Sequence, residues 1–208
     1  MVIKQYGLKR SGTNFLKALM MENFDCVVLG FVGGNKHEMI DFDFPICLGG
    51  LVSNVSEDIL REYHIELKKD PKLICIYKNP HSWVYSYCIA YKKQITDERI
   101  RELMDTYNEM NRHWAEHCLM IDYHRLIDHP TEQLGRISKE FGLDFKTSPI
   151  MKITKTTRRA SEEFNDKLFR SNDFFKGFYD NKEYLNGFNP NQIKLINLLN
   201  GFYEGLSV

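Results

Sequence analysis

This 208-residue sequence has no surplus of either charge: 28 Lys and Arg residues stand against 28 Asp and Glu residues. Affinity for a polyanion grows with the number of cations facing its phosphates. No nucleic-acid or anionic-membrane partner is therefore expected through the overall field, and any anion site must be local. The sequence also lacks an apolar run near the ~20 residues that span a bilayer, and Met1-Val2-Ile3-Lys4-Gln5-Tyr6-Gly7 has no signal-peptide character. Cysteines are few. Cys26, Cys47, Cys75, Cys88 and Cys118 are odd in number and mostly set in apolar runs, which predicts buried reduced thiols and a cytoplasmic, reducing setting. There is no internal repeat, low-complexity tract or linker. What is there, 43% hydrophobic and 13% aromatic residues, suffices for one core, and residues 1–208 read as a single domain.

Short β-rich apolar runs alternate with longer segments of helical period, the pattern of an α/β fold with a central parallel sheet flanked by helices. Strands are predicted at Val2 to Leu8, Cys26 to Leu29, Lys72 to Tyr77 and Cys118 to Tyr123. Between them, Phe15, Leu16, Leu19 and Met20 share one face of a helix from Thr13 to Asn23. Ser56 followed by Glu57 and Asp58 opens a second helix that runs to about Lys68. Pro80 opens a third, Asp97 to His117 forms a long one, and His129-Pro130-Thr131-Glu132 opens another that Gly142 closes. Pro190 to Tyr203 is a last amphipathic helix. Residues 146 to 189 show no clean period and read as a lid or loop segment over the strand ends.

Two strand-to-helix junctions carry chemistry. Tyr6-Gly7-Leu8-Lys9-Arg10-Ser11-Gly12-Thr13-Asn14-Phe15 gathers glycine, hydroxyls and two cations where free helix N–H groups converge, a P-loop-like cradle for a phosphate-like anion. Gly7 and Gly12 have the G-x-x-x-x-G spacing of a nucleotide-binding P-loop, but Thr13 and Asn14 replace the Lys-Ser/Thr pair that holds β/γ-phosphates and magnesium. At the second junction, Ile76-Tyr77-Lys78-Asn79-Pro80 leads into a helix, and Ser86 follows Lys78 by eight residues. Strand ends of an open parallel sheet form the ligand crevice, so two anion sites there imply a ligand phosphorylated at two places.

Together these segments resemble the cofactor signature of the sulfotransferases that use 3′-phosphoadenosine-5′-phosphosulfate (PAPS). Arg10-Ser11-Gly12-Thr13-Asn14-Phe15 is similar to the family's 5′-phosphosulfate loop, and Lys78 with Ser86 to the arginine and serine of its 3′-phosphate motif. Ile121-Asp122-Tyr123-His124-Arg125-Leu126 resembles its strand and Tyr-Glu-Asp-Leu turn, and Phe175-Lys176-Gly177 its late Arg-Lys-Gly element, which makes Lys176 a further phosphate ligand. Asn14 departs from a threonine, Lys78 from a bidentate arginine, and His124-Arg125 from two acids. The resemblance implies transfer of a sulfuryl group from PAPS to a hydroxyl or amine, leaving adenosine 3′,5′-bisphosphate, by an in-line displacement that requires no metal.

In that scheme Arg10, with Lys9 as the second candidate, offsets charge on the bridging oxygen. Ser11, Gly12, Thr13 and Asn14 hold the 5′-phosphate, and Phe15, Trp83 and Tyr123 lie where adenine would be contacted, although aromatics beside strand ends more often fill the core. Lys36-His37 resembles the family element that carries the general base, so His37 is the candidate and Glu38 the fallback. His64, His81 and His124 read as structural or exposed, and Arg158 and Arg159 as a solvated pair. His113-Trp114-Ala115-Glu116-His117 matches the inverted zinc-peptidase pattern H-x-x-E-H without a convincing third ligand. A phosphotransferase with an atypical loop and a non-catalytic nucleotide-binding module are the alternatives. The acceptor, a small molecule, glycan or peptide, would be selected by residues 30 to 70 and 146 to 189, and neither it nor the oligomeric state is encoded in a motif.

Overall fold

The computed structural model describes residues 1–30, 35–41, 56–147 and 177–202. Four strands, β1 (Val2–Tyr6), β2 (Val27–Leu29), β3 (Leu73–Tyr77) and β4 (Leu119–Asp122), form a parallel sheet in the order β2-β1-β3-β4. In register, Lys4 lies beside Leu73, Tyr6 beside Cys75 and Tyr77 beside Asp122. The chain passes from β1 outward to β2, then crosses back over β1 to β3. The order therefore reverses between β1 and β3, and their carboxyl ends flank the crevice where open α/β sheets bind ligands.

Around the sheet lie α1 (Thr13–Asn23), α2 (Glu57–Lys69), α3 (Pro80–Ala90), α4 (Asp97–Ala115), α5 (Tyr123–Asp128), α6 (Pro130–Phe141) and α7 (Pro190–Leu199). A 3-10 helix, Glu183–Gly187, precedes α7. Both faces of β3 are buried, and its residues alternate between two cores, as the two-residue period of a strand requires. Ile74 and Ile76 join Leu16, Leu19 and Met20 of α1 and Leu134 and Ile137 of α6. Leu73 and Cys75 face the other way, onto Trp83 of α3, Met104, Tyr107 and Trp114 of α4 and Ile196 of α7. No helix among the described residues is long and apolar enough to cross a membrane.

Several predicted ends move. β1 stops at Tyr6 rather than Leu8, because Gly7 turns at φ 149° and gives its N–H to Lys36 O at 3.0 Å instead of extending the sheet. β4 stops at Asp122 because the Asp122 carboxylate accepts the N–H groups of His124 and Arg125, at 2.7 and 3.3 Å, and starts α5 in place of a turn. α4 ends at Ala115, not His117, and α7 at Leu199, where Asn200 is extended; Tyr203 lies outside the described residues. Of the segment 146–189, residues 177–180 are helical and the 3-10 helix follows; residues 148–176 lie outside the described ones.

Candidate functional site

The first junction is a tight loop from Gly7 to Gly12. Gly12 caps α1 in a left-handed conformation, φ 101°, and offers no side chain to the first-turn amides. Those N–H groups, with the positive end of the helix dipole, are a ready anion cradle. A Cβ at Gly12 would enter the Tyr123 ring, so only glycine fits. Arg10 also has positive φ, 72°, a backbone state that costs a non-glycine residue energy and recurs at functional sites. The loop is held from behind. Trp83 Nε1 donates to Lys9 O at 2.9 Å, and Gln5 Nε2 donates to Thr13 O at 2.7 Å. Trp83 is therefore a buried strut, 1% exposed, and belongs to the core rather than to an adenine surface.

Within the loop, Ser11 is 1% exposed and its hydroxyl has no hydrogen-bond partner among the described residues. Thr13 is buried too, whereas Lys9, Arg10 and Asn14 are exposed, and Asn14 Oδ1 accepts from Lys36 Nζ at 2.9 Å. Burial, with Lys17 nearby, brings Lys36 down to about 8.

At the second junction Lys78 is 4% exposed, and among the described residues no carboxylate is paired with it. Its ammonium instead lies 4.9 Å from the ring centres of both Tyr123 and Tyr179. Burial, reinforced by the charge of Arg10, depresses its pKa to about 7. Arg10 and Lys78 thus follow the ends of the adjacent strands β1 and β3, and the charge of one acts on the other. Asn79 fixes the turn: its side chain accepts from the N–H groups of His81 and Ser82, and Pro80 fills the first helical position of α3. With its own first turn capped, α3 offers side chains rather than amides. Ser86, half-buried, lies one turn beyond Ser82 on the same face.

Tyr123 joins the two junctions. It is 7% exposed, packs on Gly12, meets Phe15 edge-on at 5.9 Å, and hydrogen-bonds to Tyr179. Burial raises its phenol to about 12. Phe15 is half-buried against the core. Lys176, Arg158 and Arg159 lie outside the described residues.

The segment 35–37 is pinned to the end of β1. Lys36 N–H bonds to Gly30 O at 2.8 Å, and the Gly7 N–H to Lys36 O. His37 Nδ1 approaches Gly7 O at 2.5 Å. A carbonyl can only accept, so Nδ1 carries the proton and Nε2 the lone pair. Burial, together with Lys36 and Lys9, outweighs the Gly7 bond and Glu38 and lowers the His37 pKa. Glu38 is exposed, and its carbonyl accepts from Trp114 Nε1 at 3.2 Å.

His124, read from sequence as structural or exposed, lies within the site. Its ring stacks on Tyr179 at 4.4 Å, and its Nε2 is 3.1 Å from Ser82 Oγ. Ser82 and Tyr179 carried no sequence signal; for His124 the departure from an acid at that point of the turn was the available clue. His81 is buried on the α7 side, with Nε2 3.4 Å from Ile193 O. In the H-x-x-E-H segment, His113 Nε2 accepts the Ile40 N–H at 3.0 Å, which gives that lone pair a structural task.

No protein-family model matches the sequence, and no curated protein matches it. Among solved structures, the chain is similar to the sulfotransferase domain of the Synechococcus PCC 7002 olefin synthase, at 12% identity and a TM-score of 0.48, over 95% of this chain and 94% of that one.

Proposed function

We propose that the protein is a sulfotransferase that takes a sulfuryl group from PAPS and gives it to a hydroxyl or amine acceptor. The observation that carries this reading is the pairing of Arg10 and Lys78, one cation at each of two adjacent strand ends on either side of the reversal in strand order, close enough for one to depress the other. A nucleotide with one phosphate group at each end satisfies both. The residues fit such a group: the Ser11 hydroxyl is buried with no hydrogen-bond partner among the described residues, and no side chain caps the first-turn amides of α1.

Bound there, PAPS would supply the activated sulfuryl group and its 5′-phosphate leaving group. The α1 amides and Ser11 would hold the 5′ end, and Lys78 and Ser86 the 3′ end. Arg10, whose side chain is exposed, would offset charge as it grows on the bridging oxygen. His37 would accept the acceptor's proton at Nε2, its ring fixed by Gly7. The absence of the Lys-Ser/Thr pair after Gly12 favours this over a magnesium-dependent phosphotransferase.

Thermal-shift titration tests the reading without knowledge of the acceptor. Adenosine 3′,5′-bisphosphate at about a hundred times its Kd adds ~2.7 kcal/mol, a rise of roughly 5–10 °C for a chain of this size. ATP and adenosine 5′-phosphate should give less. A larger shift with magnesium and ATP, and none with the bisphosphate, would establish the phosphotransferase instead. Binding of the bisphosphate without sulfation of any acceptor would leave a nucleotide-binding module.

A further inference from the structure

The second junction holds a basic group that the transfer scheme leaves without a role. His124 and Lys78 are neighbours on one aromatic wall: Tyr179 stacks on the imidazole at 4.4 Å and lies 4.9 Å from the ammonium. Ser82 fixes the ring. The Ser82 hydroxyl donates to Asn79 O at 3.0 Å, so its contact with His124 is one in which Nε2–H donates and Nδ1 keeps a lone pair. We propose that His124 is a second ligand of the anion that Lys78 attracts, charging by uptake of one proton at Nδ1 as that anion enters; the proposal rests on the nucleotide reading above.

The surroundings support it from every side. Among the described residues the groups acting on the imidazole are Lys78 from the end of β3, Asp180 from the helical residues 177–180, and the phenols of Tyr123, Tyr179 and Tyr184 that ring it. Burial first and Lys78 second hold it down to about 4, against the opposing pull of Asp180. Lys78 is held down in turn by burial and Arg10. Two adjacent bases kept from charging by desolvation and by their cationic neighbours form a pocket whose missing component is negative charge. A phosphate monoester supplies it, and each charge it induces then becomes a charge-assisted hydrogen bond. His124 stands where the resembling family has an acid, so the departure adds a basic group to this pocket.

Calorimetry with adenosine 3′,5′-bisphosphate and adenosine 5′-phosphate, in paired buffers of different ionisation enthalpy, reads both affinity and protons taken up. The wild type should take up more protons per bisphosphate than His124→Gln, by as much as one at about pH 6. The variant should bind the bisphosphate about tenfold more weakly at that pH while its affinity for the 5′-phosphate changes less than about twofold, since a charged hydrogen bond is lost only at the 3′ end. Lys78, at about 7, is already mostly protonated at that pH and adds little to the uptake in either protein. If His124→Gln matches the wild type in affinity and proton uptake, the inference fails while the nucleotide reading stands. If the wild type binds no bisphosphate, the nucleotide reading fails and takes the inference with it. Should His124→Gln not fold, Ser82→Ala, which frees the ring from its hydrogen bond, should show the same losses in milder form; unchanged linkage there overturns the proposal.

Discussion

Lys78 states the cost of the site most directly. A lysine with 4% exposure and no carboxylate paired with it among the described residues is held at the expense of stability. Lys78→Met keeps the volume and removes the burden, so it should raise the unfolding free energy by ~0.5–2 kcal/mol at neutral pH while weakening the bisphosphate thermal shift. Loss of stability in that variant would mean that the ammonium is better paired than its surroundings indicate. Gly12→Ala should do the opposite. At φ 101°, with a Cβ entering Tyr123, it should cost on the order of 1–3 kcal/mol and abolish nucleotide stabilisation together. The histidine at the neighbouring loop predicts a pH profile. Burial lowers the His37 pKa, so the basic form is present at and above the ordinary histidine range, and the limb of kcat/KM that His37 sets should fall only on acidification below it. His37→Ala should leave the bisphosphate shift intact and lower turnover by ~10²–10⁴-fold. Unchanged turnover would move the base to Glu38 or elsewhere.

At the scale of elements, the helix starts were written in local chemistry and were legible. Ser56 receives the Ile59 N–H, Pro80, Pro130 and Pro190 each open a helix, and Gly142 closes α6 at φ 64°. The strand ends were less so, because Leu8 and Tyr123 are as apolar as the strands they follow. What ends β1 is a bond from Gly7 to Lys36, a residue 29 positions away that periodicity does not see. The two cationic junctions were readable because each is a short contiguous motif. His124, Ser82 and Tyr179 were not, since their grouping depends on α3, α5 and residues 177–180 meeting in space. The same tertiary dependence makes Trp83 a test of the loop. Trp83→Phe keeps most of the buried ring but orphans Lys9 O, which should cost ~1–3 kcal/mol and slacken the anion loop. A variant with that stability loss and an undiminished bisphosphate shift would show that the loop holds its shape without the strut.

For the whole molecule, zero net charge conceals an uneven distribution of protons. The described ion pairs, such as Arg61 with Glu57 and Arg99 with Glu102, lie at the surface, and pairs of that kind contribute little. Inside, His37, His81 and His124 are depressed chiefly by burial, the last to about 4, and Lys78 and Lys36 are brought to about 7 and 8 by burial together with a neighbouring cation. Each of these bases binds a proton more readily in the unfolded chain than in the native one. Stability therefore rises with pH wherever the unfolded state holds more protons: first as the unfolded histidines titrate, from about 4 to about 6.5, then from about 7 upward, until near 9 the buried thiols and phenols, whose pKa values burial raises, begin to oppose the gain. Urea unfolding should give a higher midpoint at about pH 8 than at about pH 5.5 with an unchanged slope. Adenosine 3′,5′-bisphosphate should narrow that difference, because by drawing protons onto Lys78 and His124 in the native state it removes part of the imbalance that disfavours folding in acid. A midpoint higher at the acidic pH would mean that the buried bases do not govern the pH dependence of this fold. A bisphosphate effect equal at both pH values would separate ligand binding from their protonation.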